Sequence, residues 1–291
     1  MLTRRLLPAL LLPGPALGQT PPPLAFASFT ILADLLRQVA GEALEVRAMA
    51  GIGADAHGFQ PRPSQAQALR GAKVALRNGA GFDGWFDRML RSSGFSGSVI
   101  TAIEGVPLRT AATGQGNHGG QDPHAWQDAR LAIRYARNIE QGLRRAGLPA
   151  DSASLIERLE GLDQWIRTQL ATVEASRRVV VTSHDAFGYF GAAYGVRFLA
   201  PQGVTAGAEP SAQQVAALIR QIRGQNITAV FIEGLSNPAT LRRLATEAGL
   251  RIHGTLYSDT LSGPEGPAAT YEALMRHNTS LMVAAMRGDA G

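Results

Sequence analysis

Four side chains, each just beyond a stretch that reads as β-strand or beside a helix start, offer metal chemistry. His57 lies in Asp55-Ala-His57-Gly-Phe-Gln-Pro-Arg-Pro-Ser64 and His124 in Asp122-Pro-His124-Ala-Trp126. His184 lies in Thr182-Ser-His184-Asp-Ala-Phe-Gly-Tyr-Phe190, and Asp259 in Tyr257-Ser-Asp259. Taken alone, a histidine is more often a solvated or hydrogen-bonded residue than a ligand. Together, three imidazoles and one carboxylate make a nitrogen-rich donor set suited to tetrahedral Zn²⁺. Ligands of open parallel sheets bind at the carboxyl ends of strands, and that is where these four fall. Glu233 also ends a strand on that side; it reads as a group orienting an imidazole, in preference to a competing fourth ligand. Asp185 reads evenly as helix N-terminal charge or as a group behind His184. His118 reads as solvated, and His253 and His277 have no ligand-like context.

Other chemistries find less support. The chain has no cysteine, which removes disulfides, Cys zinc fingers, Cys nucleophiles and lipid attachment to an N-terminal Cys. Ser96 lacks the G-x-S-x-G frame of a hydrolase elbow, and no H-E-x-x-H helix occurs. Gly79-Ala-Gly81-Phe-Asp-Gly84, with Glu104 about 20 residues on, fits a dinucleotide fingerprint, but it is not in the first βαβ unit and reads better as a tight turn. Glu209-Pro-Ser211 reads as helix initiation.

The elements that must position these residues alternate. Strands are expected over 24–27, 44–49, 73–76 and 99–103, with helices over 30–39, 64–69 and 82–90, then a loop over 114–120 and a helix over 123–146. The longest helical run is 152–174, where Leu155, Leu159, Leu162, Ile166, Leu170 and Val173 step by three or four. Beyond it, strands over 178–182, 197–200, 229–233 and 252–257 alternate with helices over 187–194, 211–223, 238–248 and 270–287. Such alternation implies an α/β protein of parallel sheets with flanking helices. The expected division is an N-terminal lobe over 19–150, a linker helix over 151–176 and a C-terminal lobe over 177–291, with the four candidate ligands meeting in the cleft between lobes.

At 291 residues, 45% hydrophobic and 18% charged, the chain has ordinary globular composition and a length for about two domains. Its formal charge is +5, with no basic stripe of the kind that marks nucleic-acid binding. Residues 1–18 have the layout of a secretory signal: Arg4-Arg5, a short apolar run, then Ala16-Leu17-Gly18 as a cleavage site. The run is too short for a membrane span and carries Pro8, Pro13 and Pro15. A protein exported to the periplasm and cleaved near Gly18 is therefore expected.

Six motifs in order carry a family resemblance. They are Gly53-Ala-Asp55-Ala-His57-Gly-Phe59-Gln-Pro61-Arg-Pro-Ser64, Asn78-Gly-Ala-Gly81, Asp122-Pro-His124-Ala-Trp126, Ser183-His184-Asp-Ala-Phe-Gly-Tyr-Phe190, Glu209-Pro-Ser211 and Ser258-Asp259. Over about 24–287 the chain resembles the ZnuA/TroA-type substrate-binding proteins of zinc and manganese ABC importers. The resemblance implies two similar lobes, a rigid connecting helix and one metal ion between the lobes, held at His57, His124, His184 and Asp259. Manganese members commonly carry Glu where this chain has His184. Many zinc members have a long His-rich loop, where this chain has only Thr113-Gly-Gln-Gly-Asn-His118-Gly-Gly120; Ala56 stands where the family often has Pro. The expected function is capture of a divalent ion, Zn²⁺ ahead of Mn²⁺, and its delivery to the membrane permease of an ABC importer. The expected protein is a monomer that takes no nucleic acid and no small organic ligand. The alternative is a zinc hydrolase, which needs an open coordination position and a base such as Glu233 or Asp185.

Overall fold

The structure is a computed structural model that describes residues 21–110, 120–201, 212–225, 227–234 and 239–289. The proposed signal over 1–18, His118 and Glu209-Pro-Ser211 lie outside the described residues. Among the described residues, no helix is long and apolar enough to cross a membrane.

The N-terminal half is built on β1 (Leu24–Phe29), α1 (Thr30–Ala40), β2 (Glu45–Ala50), α2 (Pro63–Arg70), β3 (Val74–Arg77), α3 (Gly84–Ser93) and β4 (Ser98–Thr101). Its four strands form one parallel sheet in the order β2-β1-β3-β4. Central strands β1 and β3 are almost wholly buried, as expected of a parallel sheet covered on both faces. A short antiparallel pair follows, β5 (Arg109–Thr110) with β6 (Gln121–Asp122), where a plain loop was expected. Two-residue strands separated by a long insertion carry no periodic signal, so the sequence could not disclose the pair.

The helix expected from 123 begins instead as a 3-10 turn over Ala125–Gln127, and α4 (Ala129–Arg145) starts after Asp128, whose carboxylate accepts the Arg130 N–H at 2.9 Å. That cap satisfies one of the helix's unpaired first-turn donors and sets where it starts. α5 (Ala153–Ala171) follows; at about 1.5 Å per residue it is roughly 28 Å long. Its buried side chains are Leu155, Leu159, Leu162, Ile166 and Leu170, the stripe read from the sequence, which packs between α4 and α9 (Tyr271–Arg287).

The C-terminal half contains β7 (Val179–Val181), α6 (Gly188–Tyr194), β8 (Arg197–Leu199), α7 (Ala212–Gly224), β9 (Ala229–Val230), β10 (Ile232–Glu233), α8 (Ala239–Ala248) and β11 (Thr255–Leu256). The strand expected over 229–233 is divided at Phe231: β9 pairs with β7, and β10 pairs with β11. The division is local, because the Phe231 N–H donates to the Val181 carbonyl and the His253 N–H to the Val230 carbonyl. The resulting order β8-β7-β9/β10-β11 repeats the order of the first sheet. In both, the first strand has the second on one side and the third on the other, a topological switch point with the chain's loops gathered at its carboxyl end.

Candidate metal centre

His57 stands in the turn after β2. Its N–H donates to Asp55 Oδ1 at 2.9 Å, and the preceding Ala56 carbonyl accepts from Trp85 Nε1 at 2.7 Å. The imidazole lies 4.3 Å from the Phe82 ring, centre to centre, and its side chain is only 3% exposed. Phe29, Phe82 and Trp126 pack together at centroid distances of 4.8–5.1 Å to form an aromatic wall behind the histidines. Such a wall excludes water and strengthens the electrostatics of the polar atoms in front of it.

His124 follows β6 and is fixed by its neighbour. Asp122 Oδ1 accepts from the His124 N–H at 2.9 Å and faces Nδ1 at 2.8 Å. A proton held on Nδ1 leaves Nε2 as the free donor atom. The turn before it is held by Asn78, whose Nδ2 donates to the Pro123 carbonyl at 3.0 Å while its Oδ1 accepts from the Tyr135 hydroxyl at 2.7 Å. Asp83 in turn accepts the N–H groups of Asn78 and Gly79, at 2.6 and 3.1 Å. The glycine-rich turn thus carries its own buried carboxylate just before α3, which repels a phosphate there and counts against the dinucleotide reading.

His184 sits at the carboxyl end of β7. Glu233, ending β10, accepts the Ser183 and His184 N–H groups through Oε1 at 2.8 and 3.0 Å, and its Oε2 lies 2.7 Å from His184 Nδ1. Both Glu233 oxygens are therefore engaged behind the imidazole, and this carboxylate is outside the ligand cluster. Asp185 is half-buried in the turn before α6 and is outside the cluster as well. His277 Nε2 meets the Thr255 carbonyl at 3.0 Å, and His253 packs near Phe231.

The structure brings His57, His124, His184 and Asp259 together, with one potential donor atom from each lying within 4.8 Å of the others. His57 Nε2 and His184 Nε2 each lie 3.3 Å from Asp259 Oδ2, and His124 Nε2 lies 3.5 Å from Asp259 Oδ1. The Nε2 atoms of His57 and His124 are 3.3 Å apart. A tetrahedral zinc with bonds of about 2.0–2.1 Å has ligand atoms about 3.3–3.4 Å apart. These four contacts, three of them shared between the two Asp259 oxygens, are near that spacing within a set that spans up to 4.8 Å, so the donor chemistry and the approximate spacing suit such an ion.

The same crowding shapes protonation. Burial lowers the His57 pKa, outweighing the facing Asp259 carboxylate, which raises it. At His184 burial pulls the same way, but the Glu233 and Asp259 charges prevail and hold the imidazole well above its usual range. Burial works against ionising Asp259, yet the nearby His184 and His124 keep its carboxyl well below the usual carboxylate value. Two supports escaped the sequence reading. Asp122 stood in plain view two residues before His124, where an Asp-Pro turn looks the same whether or not its carboxylate meets the ring. The donors to the Ser258 carbonyl, Trp126 Nε1 and Gln127 Nε2, lie more than a hundred residues away and left no local signal.

An α/β fold of this topology with such a cluster at the carboxyl ends defines a class of binding protein, and the family follows. The chain belongs to the ZnuA family, zinc-uptake complex component A, periplasmic, whose model matches residues 26–285. It is a metal-binding substrate-binding protein of the ABC-transporter type and not an enzyme. It is 31% identical over 258 residues to the iron-binding protein YfeA of Yersinia pestis, covering 85% of this chain and 81% of that one. It is 28% identical over 267 residues to the manganese-binding lipoprotein MntA of Halalkalibacterium halodurans, covering 89% and 87%. Among solved structures it resembles the periplasmic zinc-binding protein TroA of Treponema pallidum, with a TM-score of 0.81, 25% identity, and coverage of 91% and 99%.

Proposed function

We propose that this protein captures one Zn²⁺ ion at His57, His124, His184 and Asp259 and delivers it to the membrane permease of an ABC importer. The observation that carries this reading is the convergence of three imidazole nitrogens on the buried Asp259 carboxylate at 3.3–3.5 Å, close to the separation of ligand atoms around a zinc-sized ion. Three imidazoles and one carboxylate favour zinc, whereas manganese prefers more oxygen; the Irving–Williams order runs the same way. Asp122 and Glu233 hold two of the imidazoles by their Nδ1 sides. The reading includes export with loss of residues 1–18, a rigid linker helix at 151–176 between lobes 19–150 and 177–291, and a monomer without nucleic-acid or organic ligands.

A second reading, Mn²⁺ or Fe²⁺ as the cargo, is favoured by one detail. Both Asp259 oxygens face the cluster, so a bidentate carboxylate would raise the coordination number above four. Metal analysis of protein refolded without added metal, followed by calorimetric titration with each ion, separates the two. Zinc is expected to bind one per chain and far more tightly than manganese. Equal or stronger manganese binding overturns the zinc assignment. Deleting the gene should slow growth in zinc-depleted medium when no second importer is present.

A further inference from the structure

By sequence the four candidate ligands divide two and two between the halves; by the hydrogen bonds within two residues of each they divide three and one. His57 and His124 stand on loops of the N-terminal half. Asp259 follows β11, which pairs with β10 of the C-terminal half. At Ser258, however, the chain becomes fastened across to the N-terminal half. The Ser258 carbonyl accepts from Trp126 Nε1 at 2.9 Å and from Gln127 Nε2 at 3.0 Å. Two residues beyond Asp259, the Leu261 N–H donates to Thr30 Oγ1 at 2.9 Å. The Trp126 carbonyl accepts from the Tyr271 hydroxyl at 2.6 Å, and the Tyr271 N–H donates to Asp34 Oδ2 at 2.8 Å. Trp126, Gln127 and Tyr271 are completely buried, so water cannot replace these bonds while the segment stays packed.

His184 is held differently. Its N–H and its Nδ1 go to Glu233, and its carbonyl accepts from Thr182 Oγ1 at 3.0 Å, all within the C-terminal half. The bridges from its segment to the N-terminal half come five and ten residues later, in α6, where the Tyr189 hydroxyl accepts from the Arg109 N–H at 3.1 Å and the Tyr194 hydroxyl from the Ala129 N–H at 3.2 Å.

We propose that Trp126 and Gln127 are positioning residues for Asp259. They hold it with His57 and His124 as a three-ligand cup on the N-terminal half, and His184 is the ligand added to and withdrawn from that cup. The proposal rests on the metal-capture reading and deepens it. Zinc tolerates three protein ligands and a water, so withdrawing His184 opens one coordination position while the ion stays seated. Release then proceeds by exchange at the opened position, with no need to take the whole shell apart at once.

The test is a mutant cycle read by zinc competition against a fluorescent chelator. Gln127→Ala should weaken zinc binding by about two- to tenfold in the otherwise unchanged protein, the share of one buried hydrogen bond. In an Asp259→Ala background the same substitution should change nothing, because the carboxylate through which Gln127 acts is gone. An equal loss in both backgrounds overturns the proposal, since it marks a general effect on the fold. Trp126→Phe keeps an aromatic ring, though a smaller one, and removes the Nε1 donor; it should give the same dependence on Asp259 and serves if Gln127→Ala fails to fold. Amide hydrogen exchange gives a second readout. In metal-free protein, residues 257–262 should already be as protected as the residues around Trp126, and zinc should add protection mainly at 179–187. Protection at 257–262 that appears only with zinc overturns the cup. If the unchanged protein binds no zinc, the metal reading fails, and exchange on the metal-free protein still judges the fastening of Asp259.

Discussion

At the scale of single residues, the site is a contest between protons and metal for the same nitrogen atoms. His184→Ala removes a donor with its Nε2 3.3 Å from Asp259, and it should weaken zinc binding far more than His277→Ala, whose ring meets the Thr255 carbonyl and the Tyr257 ring. Competition titration of the two variants checks this; full-strength binding by the first sinks the site. Asp122→Asn keeps the size of the side chain but weakens its hold on Nδ1, and should cost about 10- to 100-fold in affinity. The pH dependence has a definite sign. The folded, metal-free His184 has a raised pKa, so its proton stabilises the metal-free fold below the ordinary imidazole value of about 6.5, and that contribution is lost as pH rises through the raised value. Zinc must displace this proton, so apparent affinity should rise with pH across that window and begin to fall, on acidification, above pH 6.5. Calorimetry in a series of buffers should show proton release on binding. The donors themselves were legible because histidines at strand ends are conspicuous by position. Their supports were not, because a carboxylate two residues away and a carbonyl partner in the other half look ordinary in a one-dimensional string.

At the scale of elements, legibility follows periodicity. The stripe from Leu155 to Leu170 named a helix and its buried face, and α5 buries those residues at 0–1% exposure. Leu162→Ala leaves a cavity between α5 and its neighbours and should cost about 2–5 kcal/mol, measured by urea unfolding. The β5–β6 pair and the break at Phe231 were invisible for a shared reason. Both are set by which distant backbone offers a partner, and no local pattern of side chains records that choice. The start of α4 lies between the two cases: Asp128 is a good capping residue, but Pro123 five residues earlier was an equally plausible opening.

At the scale of the whole molecule, two sheets of the same strand order point their carboxyl ends at one buried cluster, and the chain's stability is tied to what the cluster holds. An ion that binds only the folded state at a hundred times its dissociation constant adds about 2.7 kcal/mol. Zinc should therefore raise the melting temperature in a concentration-dependent way, and manganese should do so less at equal concentration; calorimetric scans with each ion decide it. The aromatic wall behind the histidines has one more consequence. The chain has three tryptophans, and two of them abut the site: the Trp126 ring lies 5.2 Å from that of His124, and Trp85 donates to the carbonyl preceding His57. Their ultraviolet emission depends on the charge and rigidity of those neighbours. The molecule thus carries a built-in optical gauge of its own loading, readable in a cuvette without label or dye.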